Sequence, residues 1–573
     1  MTYCGTVWLT FVVSLSTVLG LQQLTQDSRR ELKEFVQAVM KCNDIPGVQI
    51  AMTTRNQTVL AEGYGAKKLA TGEPMTSSTL QCIGSNTKSF TAMLAALAVQ
   101  EGKLDWDKPI ADYFYKDFKL QSEYRTQQVS IKDLLGHRTG LTPFWGVTIA
   151  GLNISFQDVA SRMKDFPTKY PFRDRFIYTN YAFVLAAATI EKALGETWYQ
   201  SVQTRLLDKI GMNSTRFINR MSALDWSNAA FSLYQKKNGI IVEYPETDLI
   251  NYVGSVCPAG CLFSTAEDMA KWGRFILSGG VTEQGERLVN HSVMNQMFIP
   301  SFAITSPISL TRPHFPVAST VDGYGLGLYT GYYRGYKMVL HDGLYNGFHS
   351  VQAYLPDLGV GVFVDVPVTG RKQRQVELTV LLVAGYALDI LSENEPWLNT
   401  SNVCTFVVPL GPAPAENVSP KTTTPLPTTA SNPIIGRKKR SLKTKLGQGR
   451  VDSRRDTASV VNCLGQASTG AQSTLSTYEG TYSHPAFGDF YIKMEGDKLR
   501  YHYGTLQKGE LTPTGKPGEF YQHFEHPLEF VEESYANTPL TVITFTPLPE
   551  PGSSMAAVIT FLGSDYPPTF KRA

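Results

Sequence analysis

The chain is predicted to fold as a large α/β or α+β domain followed by a small all-β domain. Three observations carry that expectation. Strand-like segments occur at both ends of the first 400 residues with helical segments between them, which suits a layered sheet-and-helix domain. Between Gly411 and Pro433 the composition changes to six prolines and five threonines in 23 residues, a stretch that cannot bury a core. After Ser476 the apolar residues recur with period two, the signature of half-buried strands.

The elements follow in order. Leu32, Phe35, Val36 and Val39 share one face of a helix expected over Ser28–Lys41, and Pro46-Gly47 is read as its end. Val48–Thr53 and Thr58–Tyr64 read as paired strands. A long apolar helix is expected over Ser85–Gln100, and further helices near Ile131–Gly136, Asn180–Leu194 and Thr265–Ser278, the last with a capping-box-like Thr265…Asp268 start. Strands are expected at Val339–His341, Gly347–Leu355 and Gly359–Val366, then a helix at Gln375–Leu391. Glu377 and Asp389 mark that helix as core-packed, not a membrane span. In the C-terminal part Phe490, Ile492 and Met494 face one way, Glu495-Gly496-Asp497 turns, and Leu499, Tyr501 and Tyr503 return as a hairpin. Thr541–Thr546 and Ala556–Phe561 complete the all-β module.

Composition narrows the class. An apolar fraction of 42% with 18% charged residues is that of a folded globular chain. A mean hydropathy of −0.15 excludes a polytopic membrane protein. The net charge of +3 does not mark a nucleic-acid partner. Residues Arg437 to Asp456 carry nine Lys/Arg against two Asp, so the rest of the chain sums to about −4. That basic run is a candidate contact for a polyanion or an extracellular matrix.

Export is the expected fate. The first 20 residues carry no charge, and the apolar run Val7–Leu19 is too short to span a bilayer but suits a signal-peptide core. The absence of a basic residue before it leaves an uncleaved anchor as the alternative. Sequons stand at Asn56, Asn153, Asn213, Asn290, Asn399 and Asn417. Removal of the leader leaves Cys42, Cys82, Cys257, Cys261, Cys404 and Cys463, an even set that permits three disulfides whose connectivity the sequence leaves open. Six buried thiols are the alternative. Arg437-Lys438-Lys439-Arg440 looks like a furin-type processing site, against a merely solvated basic patch. Cys404 and Cys463 bracket it and are the candidates to hold cleaved halves together. The domain reading is signal 1–20, main domain 21–408, linker 409–475 and β module 476–573.

For chemistry, there is no phosphate-cradling glycine loop, dinucleotide fingerprint or His-Glu-x-x-His, and no cofactor or metal is expected; His523-x-x-His526 reads as two surface residues. What stands out is Ser85-Asn-Thr-Lys88. At a helix start, positions i and i+3 share a face, so the amine reaches the hydroxyl. A desolvated lysine has its pKa lowered enough to take a serine proton. The motif has decoys: Ser161…Lys164 repeats it, Tyr178-x-Asn180 recurs at Tyr535…Asn537, and His341-x-Gly343 recurs at His502…Gly504. Context separates them, because Ser85 and Tyr178 open apolar helices and His341 ends a strand, whereas Ser161 sits among charged residues, Tyr535 in a polar loop and His502 inside a short hairpin.

The ordered set Ser85-x-x-Lys88, Tyr178-x-Asn180, His341-x-Gly343 resembles the serine β-lactamase and penicillin-binding-protein family, in particular its class C-like branch with related esterases, D-aminopeptidases and animal β-lactamase-like proteins. Supporting matches are Ile45–Val48, Leu134–Leu141, Pro258–Trp272 and Tyr324–Leu328. Some secreted invertebrate members resemble mollusc shell-matrix components. The resemblance implies a β-lactamase/transpeptidase-like domain with an antiparallel sheet flanked by helices. It implies that Ser85 is acylated, Lys88 acts as or assists the base, Tyr178 shuttles protons and Asn180 donates to a substrate amide. It implies further that the N–H groups of Ser85 and of Leu344, just after Gly343, form an oxyanion hole. His341 stands where many relatives carry a lysine, so weak β-lactam turnover is expected, with an ester, amide or small peptide as substrate. The alternative is a catalytically silent matrix or binding protein that keeps the fold.

Overall fold

The computed structural model describes residues 24–114, 118–143, 152, 154–235, 240–243, 256–304, 319–370, 373–405, 475–525, 528, 541–547, 555–560 and 568–573. The leader, the linker with its basic run, Cys463, Asn153, Asn417 and the Tyr535…Asn537 decoy lie outside them.

Helix α1 (Gln26–Asn43) begins where the Thr25 hydroxyl accepts the Ser28 N–H and buries Leu32, Phe35, Val36 and Val39. It ends at Asp44, which takes a left-handed conformation and bonds back to Met40, so the helix runs two residues past the Lys41 expected as its last. Strands β1 (Gly47–Thr54) and β2 (Thr58–Gly65) follow as a hairpin. Next come β3 (Gln81–Cys82), a single 3₁₀ turn at Gly84–Asn86 and helix α2 (Thr87–Gln100). Helix α3 (Asn180–Leu194), the short turn α4 (Cys257–Gly260), β4 (Leu262–Ser264) and helix α5 (Ala266–Leu277) complete the middle of the domain. The Thr265 hydroxyl caps α5 from outside its first turn, as its spacing from Asp268 predicts. The chain then adds β5 (Phe302–Ala303), β6 (Ser319–Tyr324), β7 (Tyr329–Tyr333), β8 (Tyr336–Tyr345), β9 (Phe348–Leu355), β10 (Val360–Val366) and α6 (Gln373–Leu391).

Strand β1 pairs with β10 over Gln49↔Asp365 to Thr54↔Val360, which closes an eight-stranded antiparallel sheet in the order β2-β1-β10-β9-β8-β7-β6-β5. One face is covered by α1 and α6, with Phe35 stacked on Tyr386 at 3.9 Å. The other carries α2, α3 and α5, where Phe90 stacks on Trp272 at 3.9 Å. Asp389 inside the apolar α6 is satisfied by Tyr333 Oη and Arg334 Nη2, both at 2.8 Å, so its charge serves packing. No helix among the described residues is long and apolar enough to cross a membrane.

Three features differ from what the sequence suggests. Strand β8 runs four residues past His341, because its pairing with β9 continues to Tyr345↔Phe348; His341 therefore sits mid-strand. Cys404 is bonded to Cys42, tying α1 to the end of the domain, so it is not free to bridge to Cys463. Cys82, a disulfide candidate, is a fully buried free thiol on β3. Cys257 and Cys261 do pair, with each other. Of the sequons, Asn56, Asn213, Asn290 and Asn399 are exposed.

The C-terminal module is a closed eight-stranded barrel, β11 (Gly480–His484), β12 (Gly488–Glu495), β13 (Lys498–Tyr503), β14 (Gln507–Pro513), β15 (Glu519–Gln522), β16 (Val542–Pro547), β17 (Met555–Thr560) and β18 (Thr569–Arg572). Closure removes the sheet edges that a small open module would expose. Its interior holds Tyr482, Phe490, Tyr503 and Phe570, each buried. Phe487, between β11 and β12, packs edge-on against Phe166 of the main domain at 4.8 Å, and Phe166 in turn meets Tyr181 in the first turn of α3.

Candidate active site

Four segments far apart in sequence meet at the start of α2. Lys88 Nζ lies 2.9 Å from Ser85 Oγ, as the i, i+3 spacing requires. Tyr178 Oη donates to the same Ser85 Oγ at 2.9 Å. Asn180, first residue of α3, accepts from Lys88 through Oδ1 at 2.9 Å. The Ala259 carbonyl of α4 takes a further Lys88 N–H at 2.8 Å. Ser85, Tyr178 and Asn180 are part-exposed, whereas Lys88 is wholly buried.

Burial sets the charge states. With Lys88 out of water, desolvation pushes its pKa well below the ordinary lysine value, opposed by the Asp342 carboxylate. In its neutral form that amine has two N–H donors and one lone pair. Asn180 Oδ1 and Ala259 O take the two donors, which aims the lone pair at the Ser85 hydroxyl. Burial pushes the Tyr178 phenol up, well above its usual range, so it stays protonated and donates.

The strand β8 backbone closes the site. Gly84 has φ +51, a left-handed conformation that favours glycine. A Cβ there would stand 2.8 Å from Leu344 N, so the Leu344 amide lies directly against the turn that carries Ser85. Ser85 is the second residue of that turn, where backbone N–H groups point outward without an intrahelical partner. Below, Asn86 Nδ2 donates to Ser350 Oγ at 2.7 Å, Ser350 Oγ to Ile83 O at 2.9 Å, and Gln352 Nε2 to Ser89 Oγ at 3.1 Å, binding the α2 start to β9.

His341 is placed differently from the expectation. It is 1% exposed, and both ring nitrogens are engaged inside the protein. Nε2 lies 3.1 Å from Tyr324 Oη and Nδ1 2.5 Å from Asp342 O. Burial keeps the Tyr324 phenol protonated, so Tyr324 donates to Nε2 and the Nδ1–H donates to the carbonyl. That fixes a neutral tautomer, and burial holds its pKa down at about 4. The ring meets Tyr178 only at 6.2 Å between centroids. His341 therefore orders the wall behind Tyr178 and has no nitrogen left to offer a substrate, because its strand continues and carries the side chain inward. Asp342 beside it is half-exposed.

Residues missed from sequence are His137 and Tyr324. His137 is buried at φ +54; its carbonyl accepts Ile177 N–H at 2.8 Å and its Nδ1 accepts Thr179 N–H at 3.3 Å. It thus grips both neighbours of Tyr178, with the two rings 4.5 Å apart. The loop holding it is braced by Asp133, whose buried carboxylate binds Arg138 at 2.6 Å and Arg173 at 2.7 Å. Both residues sat in segments noted as family-like, and only that context could have flagged them.

The decoys separate as predicted. Ser161 is exposed, its hydroxyl donating to Asp158 O at 2.8 Å. His502 is exposed on the barrel. Among the described residues no group of three or more His, Cys, Asp or Glu could hold a metal.

The buried imidazoles give a stability prediction. His137, His341 and His349 all have folded pKa values depressed below about 6.5, and in the barrel burial lowers His484 to about 4. The unfolded chain takes up protons there that the folded one refuses. Stability is therefore full above about pH 6.5 and falls as pH drops toward about 4. Urea midpoints across that range should decline, and His341→Gln should flatten the slope; a level wild-type profile would contradict the assignment.

The family model described as Beta-lactamase matches residues 32–381. An unguisins hydrolase of Aspergillus violaceofuscus is 28% identical over 355 residues, covering 59% of this chain and 60% of that protein. Gigasin-6 of Magallana gigas is 25% identical over 240 residues, covering 40% of this chain and 76% of its own length. The chain thus spans about 60% of the length of the unguisins hydrolases it matches. Among solved structures, the penicillin-binding protein homologue from Pyrococcus abyssi superposes with a TM-score of 0.54 at 19% identity, covering 95% of this chain and all of that one. A D-amino acid amidase from Ochrobactrum anthropi gives 0.50 at 21% identity, covering 64% of this chain and 98% of that one. These likenesses are of fold.

Proposed function

The chain belongs to the beta-lactamase family, and on that premise we propose that it is a serine hydrolase acting through an acyl-enzyme on an ester, amide or small peptide. The observation that carries this is a single oxygen, Ser85 Oγ, held 2.9 Å from both Lys88 Nζ and Tyr178 Oη. In this reading Lys88 takes the Ser85 proton as Oγ bonds to the substrate carbonyl carbon. The oxyanion forms against the N–H groups of Ser85 and Leu344. Tyr178 gives its proton to the leaving heteroatom as the bond to it breaks, and recovers one from Lys88. Water then enters along the same route and loses a proton to the Lys88–Tyr178 pair as its oxygen bonds to the acyl carbon; the pair returns that proton to Ser85 Oγ as the Oγ–carbon bond breaks, and the acyl group leaves as a carboxylic acid. Asn180, oriented by its bond to Lys88, offers its amide nitrogen to the substrate.

The charge around the site supports the substrate class. The neutral, buried His341 supplies no cation for a carboxylate, and the Asp342 carboxylate repels one. Neutral esters and amides should therefore be turned over about 10- to 100-fold better than a chromogenic cephalosporin, which bears a carboxylate. The decisive measurement is fluorophosphonate labelling of the whole chain beside Ser85→Ala. Label on the wild type, absent from the variant, is the expected result. No Ser85-dependent label, with no turnover across esters, D-amino peptides and β-lactams, would favour a silent matrix protein. Export of the chain is part of the same proposal, supported by its leader-like start and by four exposed sequons. A mobility shift of expressed protein on removal of N-glycans tests it.

A further inference from the structure

Asp342 carries a charge that the steps above do not use. Strand β8 pairs with β7 only as far as Tyr329↔Leu340, so from His341 onward its one strand neighbour among the described residues is β9. There His341 and Gly343 turn inward, while Asp342 and Leu344 stay exposed. Just over half of the Asp342 side chain, 53%, meets water, yet its Oδ1 stands 3.9 Å from His341 Nδ1. The carboxylate therefore borders the imidazole that lies 5.0 Å from the part-exposed Tyr329 ring and 6.2 Å from the Tyr178 ring. Its charge reaches across the site. It adds to the burial that holds the Tyr178, Tyr324 and Tyr329 phenols above their usual range, and it opposes the fall at Lys88.

That charge has no counter-ion within the chain. Among the described residues no Lys or Arg pairs with it, and the imidazole beside it is uncharged, its Nδ1–H given to the Asp342 carbonyl. In the free protein water solvates the exposed half of the side chain. A substrate lying over β8 strips that water away, which is costly for a carboxylate unless a cation takes its place. Resting on the acyl-enzyme reading above, we propose that Asp342 is a specificity-determining residue that binds a cation on the substrate, so that the substrate class is an ester or amide whose leaving group carries an ammonium. The leaving-group side follows from Tyr178, which gives its proton to the leaving heteroatom and packs near the same imidazole. Tyr329, also against that imidazole, offers the ammonium an aromatic face.

The test compares two acetate esters of the same shape, acetylcholine and 3,3-dimethylbutyl acetate, which differ by one positive charge. The full chain should turn over the cationic ester about 10- to 100-fold better in kcat/KM. The ratio should fall as salt rises, because the carboxylate is partly in water. Asp342→Asn keeps the shape without the charge and should bring the ratio down about 10-fold or more, whereas Asp342→Glu should keep most of it. Any change in Lys88 basicity acts on both esters alike and cancels in the ratio. Equal turnover of the two esters by the wild type, or a ratio that Asp342→Asn leaves unmoved, overturns the Asp342 subsite while Ser85-dependent turnover upholds the acyl-enzyme. Binding to Ser85→Ala, followed by saturation-transfer NMR, reads the subsite without chemistry. There choline should bind about 10-fold tighter than 3,3-dimethylbutanol, and Ser85→Ala/Asp342→Asn should lose that preference. No preference in Ser85→Ala also overturns the subsite. Wild-type protein that neither labels nor turns over either ester, beside a Ser85→Ala variant that keeps the choline preference, overturns the acyl-enzyme reading and leaves the subsite standing.

Discussion

Lys88→Met is expected to cut Ser85 acylation about 10³- to 10⁴-fold at neutral pH while the protein still folds. The lysine stem is fully buried and methionine fills much the same volume, so packing is largely kept. What is lost is the only amine within reach of Ser85 Oγ among the described residues, at 2.9 Å. Asn180 Oδ1 and Ala259 O lose a donor each, which costs about 1–3 kcal/mol for a buried group, within reach of an ordinary domain's stability. Lys88→Arg should not rescue, because a guanidinium cannot shed its proton to become a base. The pH profile distinguishes this from a packing defect. Wild-type acylation should rise as Lys88 deprotonates, with a midpoint well below the ordinary lysine value, and that limb should vanish in both variants. Stopped-flow acylation with a nitrophenyl ester, beside a thermal melt, reads both. If Lys88→Met acylates at the wild-type rate, Tyr178 is the base and the assignment fails.

The second large effect is expected at Gly343. A Cβ there would stand 2.0 Å from Ile83 O and 2.5 Å from Ser350 Oγ, closer than any real contact. Ile83 O is backbone at the foot of the nucleophile's turn and already accepts from Ser350 Oγ, so neither neighbour can yield alone. In Gly343→Ala strand β8 must back away, taking the Leu344 amide with it. Loss of one oxyanion donor costs about 10²- to 10³-fold in kcat, and the overpacking about 1–3 kcal/mol of stability. The distinguishing readout is a fall in kcat with little change in KM, beside a lowered melting temperature. Wild-type kcat in a protein whose melting point has fallen would show that Leu344 N–H does not serve the reaction.

Much of the site was legible because its central pair is local. Ser85 and Lys88 lie three residues apart in one helix start, and any chain that makes that helix brings them together. Tyr178 and Asn180 were legible by their place at the head of an apolar helix. Neither the pairing of Cys42 with Cys404, across a separation of 362 residues, nor the depth of His341 could be read in this way. His341 was read as ending its strand, and a strand end is set by its partner.

By itself, then, the sequence determined the main elements, the division into a sheet-and-helix domain and an all-β module, and the closeness of Ser85 to the Lys88 amine. All of these rest on spacing within a segment, where helix and strand periods act directly. The tertiary structure decided which charges exist and which groups can touch a substrate. Pairing of β1 with β10 and of β8 with β9 settles which side chains leave water, Lys88 and His341 among them. It also brings the Ala259 carbonyl and the Leu344 N–H to the site. Such groups are the same in every residue, so no pattern of side chains could announce them.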